Sequence, residues 1–154
     1  MGILTFVRVL FSFGCQGKLT IRPVENHDYV GKTLGSIDFM SQAFVYILTN
    51  KKNTVIYTGV TNDLTRRVAE HKAQVGSVFT SKYHCSKLIY YEDSDSMFEA
   101  ISREKQIKNR GRQWKVDLIS AFNPGWFDLS SSVGVTNRLI ESVRTHYNQL
   151  DANS

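Results

Sequence analysis

Cysteine and proline are scarce in this sequence: its 154 residues include two of each. Cys15 and Cys85 lie far apart, and neither has a partner at the spacing of metal ligands, so at most one disulfide bond can form. A scaffold held by several disulfides is therefore excluded. So few cysteines are typical of a reducing compartment, and we expect a cytoplasmic protein.

Long apolar runs are also missing. No uninterrupted stretch approaches the ~18 apolar residues that a membrane-spanning helix needs, so we expect no membrane partner. Residues 2–14 are apolar apart from Arg8, but they lack a clear basic start and a small-residue cleavage site. We therefore expect no signal peptide.

Positive charge is in surplus, with a formal net charge of +5 and a pI near 9.3. Such a surplus permits binding to nucleic acid without proving it. Six basic side chains fall between positions 103 and 115, where Glu104 is the one acid. These candidate nucleic-acid-binding residues are Arg103, Lys105, Lys108, Arg110, Arg112 and Lys115. The alternative interpretation is an ordinary solvated helix face.

Three regions of the chain differ in character. Residues 1–42 have weak periodicity and scattered glycines, and we interpret them as an N-terminal extension. Residues 43–130 are dense in strand and helix signals and form the predicted domain. Residues 131–154 are polar, and we expect a C-terminal tail with a short helix around 137–150.

The central region alternates between β-branched or aromatic runs and stretches of helical periodicity. The first pattern predicts three strands, at 44–49, 55–60 and 87–92. The second predicts three helices, at about 64–73, 97–107 and 114–122. Ser96 and Glu99 form a capping-box pattern at the start of the middle helix. This order predicts an α+β fold in which helices flank a three-stranded, largely antiparallel sheet.

Arg67 and His71 are four residues apart on the first predicted helix and therefore share one of its faces. A guanidinium offers two parallel donors to a phosphate, and an imidazole can accept or relay a proton near neutral pH. An exposed arginine and histidine without a function are the alternative.

Glu104 shares a helical stripe with Ala100 and Ile107, where a lone carboxylate is costly to bury. A divalent cation such as Mg²⁺ is one partner for it, because this ion prefers oxygen ligands. A salt bridge to Lys108 or Arg67 is the alternative, and the sequence does not decide between them.

Tyr46 and Tyr57 lie on neighbouring predicted strands and share a sheet face if the register allows. Core packing is the ordinary role of a strand tyrosine. Since its usual pKa is near 10, a tyrosine acts as a base only where cations lower that pKa.

Taken together, these motifs resemble those of the GIY-YIG nucleases, and in particular the small stand-alone bacterial members of that superfamily. The matching segments are Phe44-Val45-Tyr46, Tyr57-Thr58-Gly59, 62–67, Glu70-His71-Lys72, 99–108, 114–119 and Asn123-Pro124-Gly125-Trp126. Either tripeptide alone is a weak signal, but the ordered series over more than half of the chain is specific.

The resemblance implies a fold and an activity. The fold is a sandwich with a three-stranded antiparallel sheet, and the activity is hydrolysis of a nucleic-acid phosphodiester with one divalent metal, Mg²⁺ or Mn²⁺. The residues implied by position are Tyr46, Tyr57, Arg67 and His71 as catalytic groups, Glu104 as the metal ligand, and Asn123 near the site.

Some positions depart from the family pattern. Phe44, Val45 and Thr58 replace residues of the two signatures, while their tyrosines and glycine are retained. Some relatives place a lysine just after the second signature, where this chain has Val60. The identity of the proton acceptor therefore stays open among Tyr46, Tyr57 and His71.

The resemblance predicts an endonuclease that is structure-selective or weakly selective, with DNA rather than RNA as its partner. A non-cleaving nucleic-acid-binding module on the same fold is the main alternative, and a protein-interaction role without nucleic acid is a third. Because relatives of this kind begin near Met40, we also expect the first 39 residues to reflect either an upstream start or a genuine extension.

Overall fold

Residues 9–13, 19–23 and 42–153 are described by a computed structural model of the chain. The chain divides into two compact units, Met1–Met40 and Ser41–Ser154. In the first unit, the strands β1 (Val9–Phe13) and β2 (Leu19–Pro23) pair in antiparallel fashion. Weak periodicity in this part of the sequence gave no prediction of these strands.

Three features considered from the sequence lie outside the described residues: Cys15, Met40 and residues 2–8 of the apolar N-terminal segment. Within the described ranges, no helix is both long enough and apolar enough to cross a membrane.

A three-stranded antiparallel sheet forms the centre of the second unit, which confirms the predicted α+β fold. Its strands are β3 (Ala43–Thr49), β4 (Ile56–Thr61) and β5 (Lys87–Ser94), in the order β4-β3-β5. β3 is central because its side chains are apolar on both faces and six of its seven residues are buried. Asn50 holds the β3–β4 turn, where its side-chain oxygen accepts from the Thr54 amide at 2.9 Å.

One face of the sheet packs under two helices, α3 (Met97–Lys108) and α4 (Arg112–Phe122). Val45 and Ile47 of β3 contribute to this core. Ser96 caps α3 as predicted, since its hydroxyl accepts from the Glu99 amide at 3.2 Å. The Glu99 carboxylate accepts from the Ser94 hydroxyl at 3.3 Å.

The opposite face is covered by α1 (Leu64–Lys72), whose Leu64 and Val68 join Tyr46 and Leu48 in a second core cluster. Asp63 caps this helix because its carboxylate accepts from the Arg66 amide at 2.9 Å. Alternation along β3 separates the two clusters, so α1 and α3 lie on opposite sides of the sheet.

The chain beyond residue 130 packs on this second face. A short 3-10 helix (Ser131–Val133) is fixed by the Thr65 hydroxyl, which donates to the Val133 carbonyl at 2.6 Å. Gly134 then turns the chain with a φ of 82°, a value that suits glycine. The final helix, α5 (Asn137–Ala152), contacts α1 and packs Leu139, Ile140 and Val143 on the second cluster.

A five-residue helix, α2 (Val78–Lys82), follows α1 and had no counterpart in the predictions. Its length is too short to show periodicity. The link from α1 is tight: Gln74 has a φ of 66°, and Gly76 passes against the end of α1. α2 therefore returns over the His71 end of α1.

Candidate active site

The four predicted catalytic residues meet on the α1 face of the sheet. β3 and β4 pair so that Tyr46 lies opposite Gly59 and Leu48 opposite Tyr57, which puts both tyrosines on one face. Their ring centroids are 6.3 Å apart. The His71 ring lies 5.8 Å from that of Tyr46 and 5.5 Å from that of Tyr57.

Gly59 makes room for the Tyr46 ring. A Cβ atom at position 59 would stand 2.6 Å from both Cζ and the hydroxyl oxygen of Tyr46, closer than real Cβ contacts come. The glycine of the second signature therefore has a steric reason, since any side chain there would displace the Tyr46 hydroxyl.

Hydrogen bonds fix the tautomer of His71. Its Nε2 is 2.9 Å from the Tyr46 hydroxyl, and its Nδ1 is 2.8 Å from Oγ1 of Thr80. The Thr80 hydroxyl donates its one hydrogen to the Ser77 carbonyl at 3.1 Å, so it accepts from His71. The proton thus resides on Nδ1, and Nε2 is left to accept from Tyr46.

Burial keeps this pair neutral. The pKa of His71 falls to about 4, first because the ring is buried and second because Arg67 is nearby, against a smaller opposing effect of Glu70. The pKa of Tyr46 rises above its ordinary value through burial and proximity to Tyr57. His71 is therefore an unprotonated acceptor at neutral pH, and Tyr46 is a protonated donor.

Arg67 is the partly exposed member of the cluster. Its Nε donates to the Tyr46 hydroxyl over 3.4 Å, and its Nη1 donates to Glu70 at 2.7 Å. Arg66 forms a close second ion pair with the same carboxylate. Although burial alone would lower it, hydrogen bonds to Glu70 and Tyr46 raise the pKa of Arg67 above its usual value.

Sequence reasoning missed Glu70, which is 3% exposed and orients Arg67. Its spacing of three and four residues from the two arginines was the signal available. Thr80 was missed as well, because its contact with His71 depends on the unpredicted helix α2.

Glu104 is carried by a different helix from Arg67 and His71. It belongs to α3, whose buried residues pack on the other face of the sheet, and it forms a close ion pair with Lys108. This is one of the two salt bridges that the sequence left as alternatives to a metal. α3 also contacts β4, the edge strand that carries Tyr57, so Glu104 and the cluster flank the same strand.

Part of the basic segment is occupied by contacts within the domain. Arg103 donates to Glu92 at 2.7 Å, and its guanidinium lies 6.0 Å from the centre of the Trp114 ring. The guanidinium of Arg110 lies 5.6 Å from the same ring. Lys105 is exposed.

Two further basic side chains of the segment donate to backbone carbonyl groups. Arg112 donates to the carbonyls of Asn53 and Thr54, at 3.0 and 2.9 Å, and so ties α4 to the β3–β4 turn. Lys115 donates to the Lys108 carbonyl at 3.2 Å. These two residues have structural roles that the charge count alone did not reveal.

Asn123 uses its side chain to hold the loop that follows α4. Its amide nitrogen donates to the carbonyls of Ile89 at 3.2 Å and Phe127 at 2.8 Å, and its oxygen accepts from the Phe127 amide at 3.0 Å. The contacts that this side chain makes are thus with the backbone around β5, not with the tyrosines.

The donor set for a metal is small. Among residues 42–153 and the two N-terminal strands, no group of three or more His, Cys, Asp or Glu side chains is placed to hold an ion. That donor chemistry does not suit zinc, which takes three or four protein ligands. A single carboxylate such as Glu104 fits Mg²⁺, which keeps several waters and shares its shell with substrate phosphate.

Residues 42–117 match the family model of the GIY-YIG catalytic domain. A UPF0213 protein of Staphylococcus haemolyticus is 38% identical over 80 residues, which span 52% of this chain and 96% of the relative. This chain belongs to the GIY-YIG family.

Other relatives of this GIY-YIG protein carry the same UPF0213 name. One from Clostridium perfringens is 40% identical over 51% of this chain and 83% of its own length. One from Natronomonas pharaonis is 38% identical over 50% of this chain and 89% of its own. No solved structure matches the chain significantly. Membership of the family supports a nuclease-like function in general terms, and the relatives' names specify no activity.

Proposed function

We propose that this protein is an endonuclease that hydrolyses phosphodiester bonds of DNA with the help of a divalent cation. The observation that carries the proposal is the buried hydrogen bond between Tyr46 and Nε2 of His71, directly beside the Arg67 guanidinium. A neutral imidazole whose Nε2 accepts a hydrogen bond from a hydroxyl is suited to take up that proton, and a binding module has no need of such a pair.

Arg67 would bind a non-bridging oxygen of the scissile phosphate and neutralise charge that develops in the transition state. Its side chain is 27% exposed and remains cationic. Glu70 holds the guanidinium in place, so its orientation costs little when substrate arrives.

Tyr46 and His71 would manage the proton of the attacking water. Water gives a proton to the Tyr46 oxygen, and the Tyr46 proton passes to Nε2 of His71. The hydroxide forms the new P–O bond, the bond to the leaving nucleoside oxygen breaks, and solvent protonates that oxygen. A bound phosphate offsets the Arg67 charge that helps to lower the pKa of His71, and it thereby strengthens the base.

Glu104 would hold Mg²⁺ or Mn²⁺ once Lys108 is displaced from its carboxylate. A bound cation supplies Lewis-acid stabilisation of the phosphoryl oxygens. Of the basic segment, Lys105 and Arg110 are the exposed side chains best suited to hold the flanking backbone. Asn123 would act indirectly, by positioning the loop against β5.

The proposed substrate is nucleic acid of weakly selected sequence, because the contacts proposed for Arg67, Lys105 and Arg110 are with phosphates, which carry no sequence information. We also propose a cytoplasmic location, which suits the free thiol of Cys85.

The test is cleavage of single-stranded, nicked, branched and duplex DNA with and without Mg²⁺. Arg67→Ala and Glu104→Ala should each lower the rate by about 100-fold or more, the usual effect of removing a well-placed charge-stabilising group. Arg138→Ala, at an exposed arginine of α5, and Glu99→Ala, on the same helix as Glu104, are the matched controls, and both should cleave nearly as fast as wild type. Undiminished cleavage by both Arg67→Ala and Glu104→Ala would contradict the proposal. Metal-dependent binding without product would favour the non-cleaving alternative.

A further inference from the structure

A row of aromatic rings leads from the candidate active site onto α2. The Tyr57 ring stacks on that of Phe79 with centroids 5.9 Å apart and 28° between their planes. The Phe79 ring in turn lies 4.6 Å from that of Tyr83. Tyr57 also contacts His71, so the row begins at the cluster itself.

The outer part of this row is open to solvent. Phe79 is 45% exposed, Tyr83 is 41% exposed, and the neighbouring Val78 is 88% exposed. Three large apolar side chains within six residues are unusual on a surface, since moving each of them out of water is favourable. Their exposure therefore points to a ligand that covers them.

A positive charge stands at each end of the row. At the inner end, the Arg67 guanidinium is 27% exposed, and Arg66 beside it pairs with both Glu70 and Asp63. At the outer end, the Lys82 ammonium lies 5.7 Å from the centre of the Tyr83 ring. Cations flanking aromatic rings complement a polymer in which phosphates alternate with flat, apolar bases.

We propose that Phe79 and Tyr83 stack against unpaired bases of the strand whose phosphate lies at Arg67, and that Lys82 binds the phosphate beyond them. Bases in a duplex cover one another's faces and present only their edges, so an aromatic surface can stack only on bases that are unpaired or flipped out. The substrate class is thus single-stranded or locally unpaired DNA. This inference rests on the proposed function.

The decisive experiment measures binding in EDTA, where no cleavage is expected, by fluorescence anisotropy. Three probes of equal length are compared: a single-stranded DNA, the same strand composed of abasic sites, and the matched duplex. Wild type should bind the base-bearing strand more tightly than the abasic strand. Phe79→Leu should weaken binding of the base-bearing strand about 5- to 100-fold and leave the abasic strand unchanged, because it keeps apolar volume and loses the ring.

Phe79→Tyr keeps the ring and should bind like wild type, which separates stacking from misfolding. Phe98→Leu is the matched control, because Phe98 is 80% exposed on α3, outside the row. The inference would be overturned if Phe79→Leu weakened binding of the base-bearing and abasic strands equally, or did not weaken binding at all. The exposed rings would then be assigned to contact with a protein partner. Product formation with Mg²⁺ is scored separately, so failure of the nuclease proposal is distinguishable from failure of the stacking surface.

Discussion

His71 makes its two ring nitrogens serve different purposes. Nδ1 donates a hydrogen bond to Thr80, which holds the ring in place. Nε2 accepts a hydrogen bond from the Tyr46 hydroxyl. The side chain is 1% exposed, so water cannot substitute for either partner. The same burial makes the imidazole a pH-sensitive element of the folded domain.

Stability should fall in acid because of His71. Its pKa is about 4 in the folded state against an ordinary 6.5, so the unfolded chain binds the proton more readily. The contribution is complete above pH 6.5 and is lost progressively as pH falls to 4, by about 3 kcal/mol in total. Urea unfolding of wild type and His71→Gln between pH 7.5 and 4 measures it. The difference in the free energy of unfolding between wild type and His71→Gln should become smaller in acid. His146→Gln, at an exposed histidine, should unfold like wild type at every pH.

Gly59 should tolerate no side chain, even the smallest. Gly59→Ala places a methyl group against the Tyr46 ring, and we expect destabilisation of about 1–3 kcal/mol together with loss of the Tyr46–His71 hydrogen bond. Gly111→Ala is the matched control, because a Cβ at position 111 meets nothing within 4 Å. Thermal unfolding and nuclease rates of both variants check the prediction. Equal behaviour of the two would show that Tyr46 can move aside without cost.

Residues of the site differ in how far the sequence revealed them. Arg67 and His71 were placed on one face by their spacing, and the two tyrosines were assigned to neighbouring strands, although only the observed register puts them on the same face. Glu70 was not singled out, because its role in orienting Arg67 depends on its burial, and the charged residues around it in the helix indicate an exposed position.

At the scale of elements, the short helix α2 links two functions of the site. Its inner side gives Thr80 to His71, and its outer side carries Phe79 in the aromatic row. Ser77 begins the helix by accepting from the Thr80 amide at 3.3 Å. Displacement of this one turn would therefore alter the imidazole and the exposed rings together.

Thr80→Val tests the inner contact, since it preserves shape and removes the hydroxyl. His71 Nδ1 then lacks an acceptor in a buried position, which should cost about 1–3 kcal/mol of stability. The tautomer preference should weaken, with a ~10- to 100-fold lower cleavage rate, as for other groups that orient a functional histidine. Nitrogen chemical shifts of the His71 ring measure the tautomer directly. Thr80→Ser should restore both values, and a Val variant with unchanged ring shifts would contradict the assignment.

Elements with a clear period were predictable, and short ones were not. β3 and β4 are runs of β-branched and aromatic residues, and α1 and α3 have helical periodicity with recognisable caps, Asp63 and Ser96. α2 is five residues long, so local pattern carries no signal for it. Its position depends on the tight link at Gln74 and Gly76 and on packing against α1, which are tertiary effects.

At the scale of the whole molecule, α5 belongs with the sheet and α1. The sequence suggested a helix near 137–150, and α5 spans Asn137–Ala152. What the sequence did not reveal is that Leu139, Ile140 and Val143 pack on the core cluster of Tyr46 and Leu48. The helix thereby supports, from outside, the element that carries Arg67 and His71.

Deletion of residues 137–154 should destabilise the domain by about 3–5 kcal/mol, because it removes the three apolar side chains of α5 and exposes the core surface that they cover. Deletion of 151–154 alone should change stability little, because residues 151–153 are exposed. Urea unfolding of the two truncated proteins beside wild type gives the comparison. A similar midpoint for the longer deletion and wild type would mean that α5 packs without contributing to stability.

Arg112 has a further consequence, for the order in which the chain folds. Its guanidinium joins α4 to a turn that lies 58 and 59 positions earlier in sequence. Closing so long a loop costs entropy that local contacts do not, so this clasp should form only after the sheet and α3 are in place. The β3–β4 strand pairing would then form early in folding, and the hydrogen bonds from Arg112 to the turn would form late. Substitution of Arg112 should therefore speed unfolding far more than it slows folding.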